Sequence, residues 1–243
     1  MIYFISDVHL GFYHRSKDKE REDLLLKVLE KISQDATELY LLGDIFDYWF
    51  EYKTVVPKYF YRTLASIKRL TDKGIKIEYL MGNHDFAHKT FFEEELEVRI
   101  RTNDIERTLE GKRFYLSHGD ELNPADKSYK IAKSILRSSF NQWLYAKLHP
   151  DVAIKLASKS STQSRKYSGL KYPAHDFMLE FAKVKIDQGF DYVIMGHRHK
   201  VSEFKYQEGA YLNLGDWLKD PRIAKFDGST LIMLKPEEFL LMI

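Results

Sequence analysis

Cysteine is absent from all 243 residues. That excludes disulfides and thiolate metal sites, so any bound metal must be held by His, Asp, Glu or Asn. Also missing is any apolar run approaching the ~20 residues of a membrane-spanning helix. A strand-like run, Ile2 to Ile5, starts directly after Met1 and leaves no room for a signal peptide, which sets a cytoplasmic expectation. An overall excess of charge is lacking too, the net being +2. Locally the balance is different. Ten basic residues from Lys127 to Lys171 face only Asp126 and Asp151. Such a stretch is either a well-solvated helix face or a surface for an anionic partner.

What is present is enough apolar material, 44%, to fill the core of one large domain or of one domain with an insertion. Five short motifs each follow an apolar run: Asp7-Val8-His9, Gly43-Asp44-Ile45-Phe46-Asp47, Gly82-Asn83-His84-Asp85, Ser117-His118-Gly119-Asp120 and Gly196-His197-Arg198-His199. In open α/β sheets, ligands bind at the carboxyl ends of strands, so these loops are expected to converge on one sheet edge. Asp44 can bridge two cations through its two carboxylate oxygens. Asn83 offers a carbonyl oxygen, and His118, His197 and His199 offer imidazole nitrogens. This N/O set without sulfur suits two divalent ions, Mn²⁺ foremost.

The order of elements reads as strand 2–6, a helix near 18–33, strand 38–42, a helix near 57–72 with Pro57 in its first turn and Gly74 at its end, and strand 75–80. This alternation predicts a parallel, helix-covered sheet. Shorter strands follow near 97–101, 105–109 and 112–117. Helical segments near 125–137, 139–148 and 150–162 interrupt the pattern. A helix near 173–188, strand 191–196 and strand segments near 201–206, 210–214 and 223–235 then complete a second sheet.

The five motifs resemble the signature D-x-H, G-D-x-x-D, G-N-H-[DE], H and G-H-x-H of the calcineurin-like metallophosphoesterase superfamily, over nearly the whole chain. The resemblance implies an α/β fold, a four-layer α/β/β/α sandwich of two mixed sheets. It gives one metal to Asp7, His9, Asp44 and His199 and the other to Asp44, Asn83, His118 and His197. It makes His84 a catalytic residue acting on the phosphoryl group, with Asp85 orienting its imidazole. Asp47 is expected to orient a ligand rather than to be one. His14, His88, His149 and His175 match no motif and are expected on the surface or in the core.

Residues 123–172 read as a helical cap inserted in a single domain, 1–243. Phe140, Trp143, Leu144 and Leu148 share one helix face, and Val152, Ile154, Leu156 and Ala157 lie on the next helix. These faces either pack on each other and the main sheet or form an apolar lid fringed by basic residues. Here the chain resembles the UDP-2,3-diacylglucosamine pyrophosphatases of lipid A biosynthesis, through Gly43-Asp44-Ile45-Phe46-Asp47-Tyr48-Trp49-Phe50, Gln142-Trp143-Leu144, Leu148-His149-Pro150 and Leu214-Gly215-Asp216-Trp217. That likeness implies a hydrolase releasing UMP and a diacylglucosamine 1-phosphate, with a lipid-linked nucleotide as substrate. It implies a peripheral position at the inner face of the cytoplasmic membrane, without nucleic acid or a protein partner. Phe140, Trp143 and Leu144 would hold acyl chains, and Ser160, Gln163, Arg165 and Lys166 the sugar phosphate. Two departures stand out: His84 replaces the Arg common in that branch, and Glu121-Leu122-Asn123 stands where glycines are frequent. The other readings are a generic phosphodiesterase or phosphatase, a nuclease using the basic stretch, and a non-catalytic scaffold.

Overall fold

The computed structural model of the chain describes residues 1–13, 15–122, 127–157 and 176–242. Eleven strands among them form two mixed sheets. The first has the order β11-β10-β1-β2-β3-β4, built from β1 (Ile2–Ile5), β2 (Glu38–Leu41), β3 (Lys76–Leu80), β4 (Arg99–Arg101), β10 (Ile223–Phe226) and β11 (Leu231–Leu234). The second has the order β5-β6-β7-β9-β8, from β5 (Ile105–Leu109), β6 (Lys112–Ser117), β7 (Tyr192–Met195), β8 (Val201–Tyr206) and β9 (Gly209–Leu214). Strands β1 to β4 run parallel, as do β6, β7 and β9.

Strand periodicity explains the layers. Alternate side chains of a strand face opposite ways. Ile2 and Phe4 of β1 therefore join Tyr40, Phe114, Leu116, Ile194, Leu212 and Phe226 in the core between the sheets. Tyr3 and Ile5 face outward to α1 (Arg15–Ile32), where Leu25, Val28, Leu29 and Ile32 form the buried stripe, and to α2 (Tyr61–Asp72) through Ile67 and Leu70. On the other flank, α7 (Phe177–Asp187) packs Met178, Ala182 and Ile186 on Tyr115, Val193 and Met195. The result is the expected α/β/β/α sandwich. Strands covered on both faces account for the near-continuous apolar runs in the sequence.

One expectation is corrected. The 223–235 segment is not one strand of the second sheet. It divides at Asp227, whose Oδ1 accepts hydrogen bonds from the Ser229 and Thr230 amides at 2.8 Å, and both halves join the first sheet. The reason is the open edge of β1, which pairs antiparallel with β10 (Ile2 with Phe226, Phe4 with Ala224) and so delivers Phe226 to the core between the sheets. The helix expected at 57–72 begins as a 3₁₀ turn, Lys58–Phe60, before α2.

Between β6 and α7 lie α4 (Lys127–Arg137), α5 (Ser139–Tyr145) and the helical residues 150–157, here α6. Short helices α3 (Phe91–Glu94) and α8 (Pro236–Leu241) complete the described elements. No helix among the described residues is long and apolar enough to cross a membrane.

Candidate metal centre and active site

The loops after β1, β2, β3, β6 and β7 meet at the carboxyl edge of the strands. Their backbone is unusual. Among the described residues, eight non-glycine residues have positive φ, and five of these are predicted ligands: Asp7 (51°), His9 (51°), Asp44 (55°), His197 (65°) and His199 (55°). Left-handed backbone is uncommon outside glycine, least so for Asp, Asn and His, and such residues persist where the surroundings over-determine them. Here the loops lock one another. The Asp7 amide donates to the Gly43 carbonyl at 3.1 Å, the His9 amide to Asp44 at 2.9 Å and the Trp217 amide to the Asp7 carbonyl at 3.0 Å. The His197 amide donates to both Asp7 carboxylate oxygens, at 3.1 and 3.0 Å. Gly43, with φ of +85°, leaves room for this closeness, since a Cβ there would sit 2.5 Å from His118 Nδ1.

Ligand atoms of Asp7, His9, Asp44 and His199 lie within 4.8 Å of one another, and so do those of Asp44, His118 and His197. His9 Nε2 is 3.1 Å from His199 Nε2 and 3.5 Å from Asp7 Oδ1. Asn83 Oδ1 lies 2.9 Å from His197 Nδ1 and 3.1 Å from His118 Nε2, which brings it into the second group. Asp44 belongs to both groups. Its Oδ2 is buried and accepts no hydrogen bond, with His118 Nε2 at 3.3 Å and His9 Nε2 at 3.8 Å. A buried carboxylate oxygen facing two sets of imidazole nitrogens is a donor set that fits a pair of divalent cations.

Opposite charges within the cluster act strongly on one another. Burial raises the Asp7 carboxyl, but His199 and His9 outweigh it and hold it well below the usual range. Burial likewise opposes the Asp44 charge, and His118 and His84 overcome it. Burial acts against a charged His118, yet Asp44 and Asp7 bring it up to about 10, whereas burial and then the His118 charge lower His197 to about 4. The backbone fixes which nitrogen faces inward: His118 Nδ1 donates to the Leu42 carbonyl at 2.9 Å, leaving Nε2 as the ligand atom. Asp47 Oδ1 lies 3.4 Å from His9 Nδ1, on the far side of the ring from the cluster, in keeping with an orienting role.

His84 sits beside this cluster. Its amide donates to Asp44 Oδ1 at 2.9 Å, and its Nδ1 lies 3.2 Å from the Asp47 carbonyl. The expectation for Asp85 is corrected. It is fully buried, and its carboxylate accepts hydrogen bonds from the amides of Asp44 (3.1 Å), Phe46 (3.2 Å) and Gly82 (2.9 Å) and from the Tyr79 hydroxyl. With those four donors it ties two metal loops together, while the Asp47 carbonyl holds His84. Burial and then the Asp44 charge push its carboxyl up to about 6.

The cap residues Phe140, Trp143 and Leu144 are 69%, 57% and 54% exposed, so this face of α5 is open rather than packed in the core. Val152 and Leu156 of α6 are exposed as well. The cap is fastened to the metal edge at three places. Lys133 pairs with Asp120 at 2.6 Å, Arg137 donates to the Gly82 carbonyl at 2.9 Å, and Tyr145 meets the Tyr48 hydroxyl at 3.1 Å and packs on the Phe50 ring. Ser160, Gln163, Arg165 and Lys166, with His14 and His175, lie outside the described residues. His149 is on the surface and His88 in the core.

Sequence reasoning gave no role to Asp216, whose Oδ2 is 3.5 Å from His199 Nδ1, or to Ser6, which donates to the Asp7 carboxylate. Asp216 follows a strand and a glycine, as Asp44 does, and that was its signal in the sequence.

Residues 1–201 match the model of the calcineurin-like phosphoesterases. The UDP-2,3-diacylglucosamine hydrolase of Porphyromonas gingivalis is 34% identical over 98% of this chain and 98% of its own. Those of Haemophilus influenzae and Neisseria gonorrhoeae are 28% and 29% identical, over 93% and 97% of this chain and 95% and 98% of theirs. With its five loops gathered around shared Asp44, this chain belongs to the calcineurin-like phosphoesterases, in the branch of hydrolases that holds these relatives.

Proposed function

We propose that this chain hydrolyses the diphosphate of UDP-2,3-diacylglucosamine by water attack on the nucleotide phosphorus, giving UMP and 2,3-diacylglucosamine 1-phosphate. The observation that carries the reading is the 34% identity to the Porphyromonas gingivalis hydrolase over 98% of both chains, which takes in the cap as well as the metal loops. The open apolar face of α5 adds support, because acyl chains need such a surface beside the reacting phosphates.

Asp7, His9, Asp44 and His199 would hold one divalent ion and Asp44, Asn83, His118 and His197 the other, with Mn²⁺ suited to this N/O set. When bound, such a pair lowers the pKa of a water and neutralises charge on the phosphoryl oxygens. The chain's own contribution is placement. Asp44 sets the spacing of the two sites, Asp47 and Asp216 fix the rings of His9 and His199, and Asp85 fixes the loops beneath. His84 Nδ1–H donates a hydrogen bond to the Asp47 carbonyl, and we assign Nε2 to the phosphoryl oxygens. The leaving group is itself a phosphate, so His84 acts mainly by donating a hydrogen bond to developing charge.

The residues 123–172 act as one cap unit in this reading, and the protein works peripherally at the cytoplasmic face of a membrane. Exposed Phe140, Trp143 and Leu144, with Lys147 5.1 Å from the Trp143 ring, make a surface fit for acyl chains and anionic headgroups. The test is hydrolysis of UDP-2,3-diacylglucosamine with added Mn²⁺, run beside bis-p-nitrophenyl phosphate. Turnover of the lipid nucleotide is expected. Turnover of the aryl diester alone would return the chain to a generic phosphodiesterase.

A further inference from the structure

A cavity of about 480 Å³ opens beside the second ligand group, with His118 and Asp120 in its wall. Asn103 and Asp104 of the β4–β5 loop line it, and so does Lys133 of the cap. Leu80 and Leu122 give it a small apolar surface. It is within the usual size of a small-ligand site.

Charge decides what it can take. Asp104, Glu106, Asp120 and Glu121 line it against a single lysine, and Lys133 is already engaged by Asp120 and Glu121, each at 2.6 Å. An acyl chain would strip water from these carboxylates without replacing it. A phosphate deep inside would meet like charge. Neutral groups rich in N–H and O–H are what such walls bind, because ionised carboxylates only accept hydrogen bonds. Asp104 is already set in place by the Tyr115 hydroxyl, which donates to its Oδ2 at 2.6 Å. Only where the cavity meets His118 and the second metal group is an anion welcome.

A nucleoside monophosphate has this pattern, with an anionic end and a neutral end of hydroxyls and a ring N–H. The other end of the ligand cluster is different. The loop that continues from Asp47, beside His9, carries Tyr48 and Phe50, which meet Tyr145 of the apolar cap. We infer that the cavity beside His118 binds the nucleoside half of the substrate through Asn103 and Asp104, while the lipid half lies toward Tyr48 and the open face of α5. This assignment rests on the function proposed above.

The experiment measures UMP as an inhibitor of wild type, Asn103→Ala and Asp104→Asn, with glucosamine 1-phosphate as the probe for the other half. Asp104→Asn keeps an oxygen for the Tyr115 hydroxyl, and Asn103 is exposed, so folding is spared in both. Each variant should weaken UMP about tenfold, the size of one lost hydrogen bond to a charged or amide group, and leave glucosamine 1-phosphate unaffected. Unchanged UMP inhibition in both variants, or weaker binding of glucosamine 1-phosphate, would overturn the assignment. Inhibition is read on both bis-p-nitrophenyl phosphate and the lipid nucleotide. A wild type that turns over only the aryl diester defeats the proposed function, whereas unchanged UMP inhibition in the variants defeats the cavity alone.

Discussion

Asp216 and Asp47 touch the rings of two predicted ligands from outside the cluster, His199 at 3.5 Å and His9 at 3.4 Å. Partners of this kind typically contribute 10–100-fold to metal affinity. Asp216→Asn and Asp47→Asn should weaken metal binding by about that factor, with activity restored at high Mn²⁺, as a metal titration of turnover would read. Activity lost at every metal concentration would mean that they act on substrate instead. His84→Ala should lower turnover by about 10²–10⁴, toward the low end because the leaving phosphate needs little protonation, with metal content unchanged. Loss of one metal equivalent would make His84 a ligand. At this scale the motifs named residue types well and orientations poorly. Asp85 follows His84 in the chain, yet its carboxylate meets Tyr79 and three backbone amides. Adjacency in a loop does not fix direction: amides of its own and a neighbouring loop and the Tyr79 hydroxyl claim the Asp85 carboxylate instead, and the left-handed backbone of five ligands carries no signal in the sequence either.

Elements were legible where burial imposes a period. The parallel strands of the first sheet and the stripe of α1 could be read because both faces of the sheet are covered. The placement of β10 and β11 could not, since local alternation does not say which strand edge is open. The cap was ambiguous for a related reason: an apolar helix face looks the same in sequence whether it packs or stays open. Phe140, Trp143 and Leu144 stay open. Each buried acyl methylene contributes about 0.8 kcal/mol, so this face can dominate substrate choice. Replacing Trp143 and Leu144 with polar residues should remove most of the rate on UDP-2,3-diacylglucosamine and little of that on bis-p-nitrophenyl phosphate. Equal losses would mean that the two residues only support the fold.

For the whole molecule, the alternation of strands and helices pointed to a helix-covered sheet and the family resemblance to the four layers, whereas one part of its acid response comes from a side chain that the motifs left aside. His88 is buried against Trp49, Tyr79 and Phe92, and burial lowers its pKa to about 3. Unfolded, it takes a proton below about 6.5. The unfolded chain thus binds more protons between those values, and stability falls as pH drops through that window, by about 2–3 kcal/mol at pH 4.5. Urea unfolding at pH 7 and 4.5 should show His88→Phe losing that much less than the parent. Equal losses would place the acid sensitivity elsewhere.

The central claim is the proposed one, that this edge, with two divalent ions bound, would direct water to the nucleotide phosphorus of a lipid diphosphate. Turnover of UDP-2,3-diacylglucosamine in ¹⁸O-water, with products weighed by mass spectrometry, tests it most directly. The label should appear in UMP, and a chelator should abolish its incorporation. Label in the diacylglucosamine 1-phosphate, or incorporation that survives the chelator, would contradict the account.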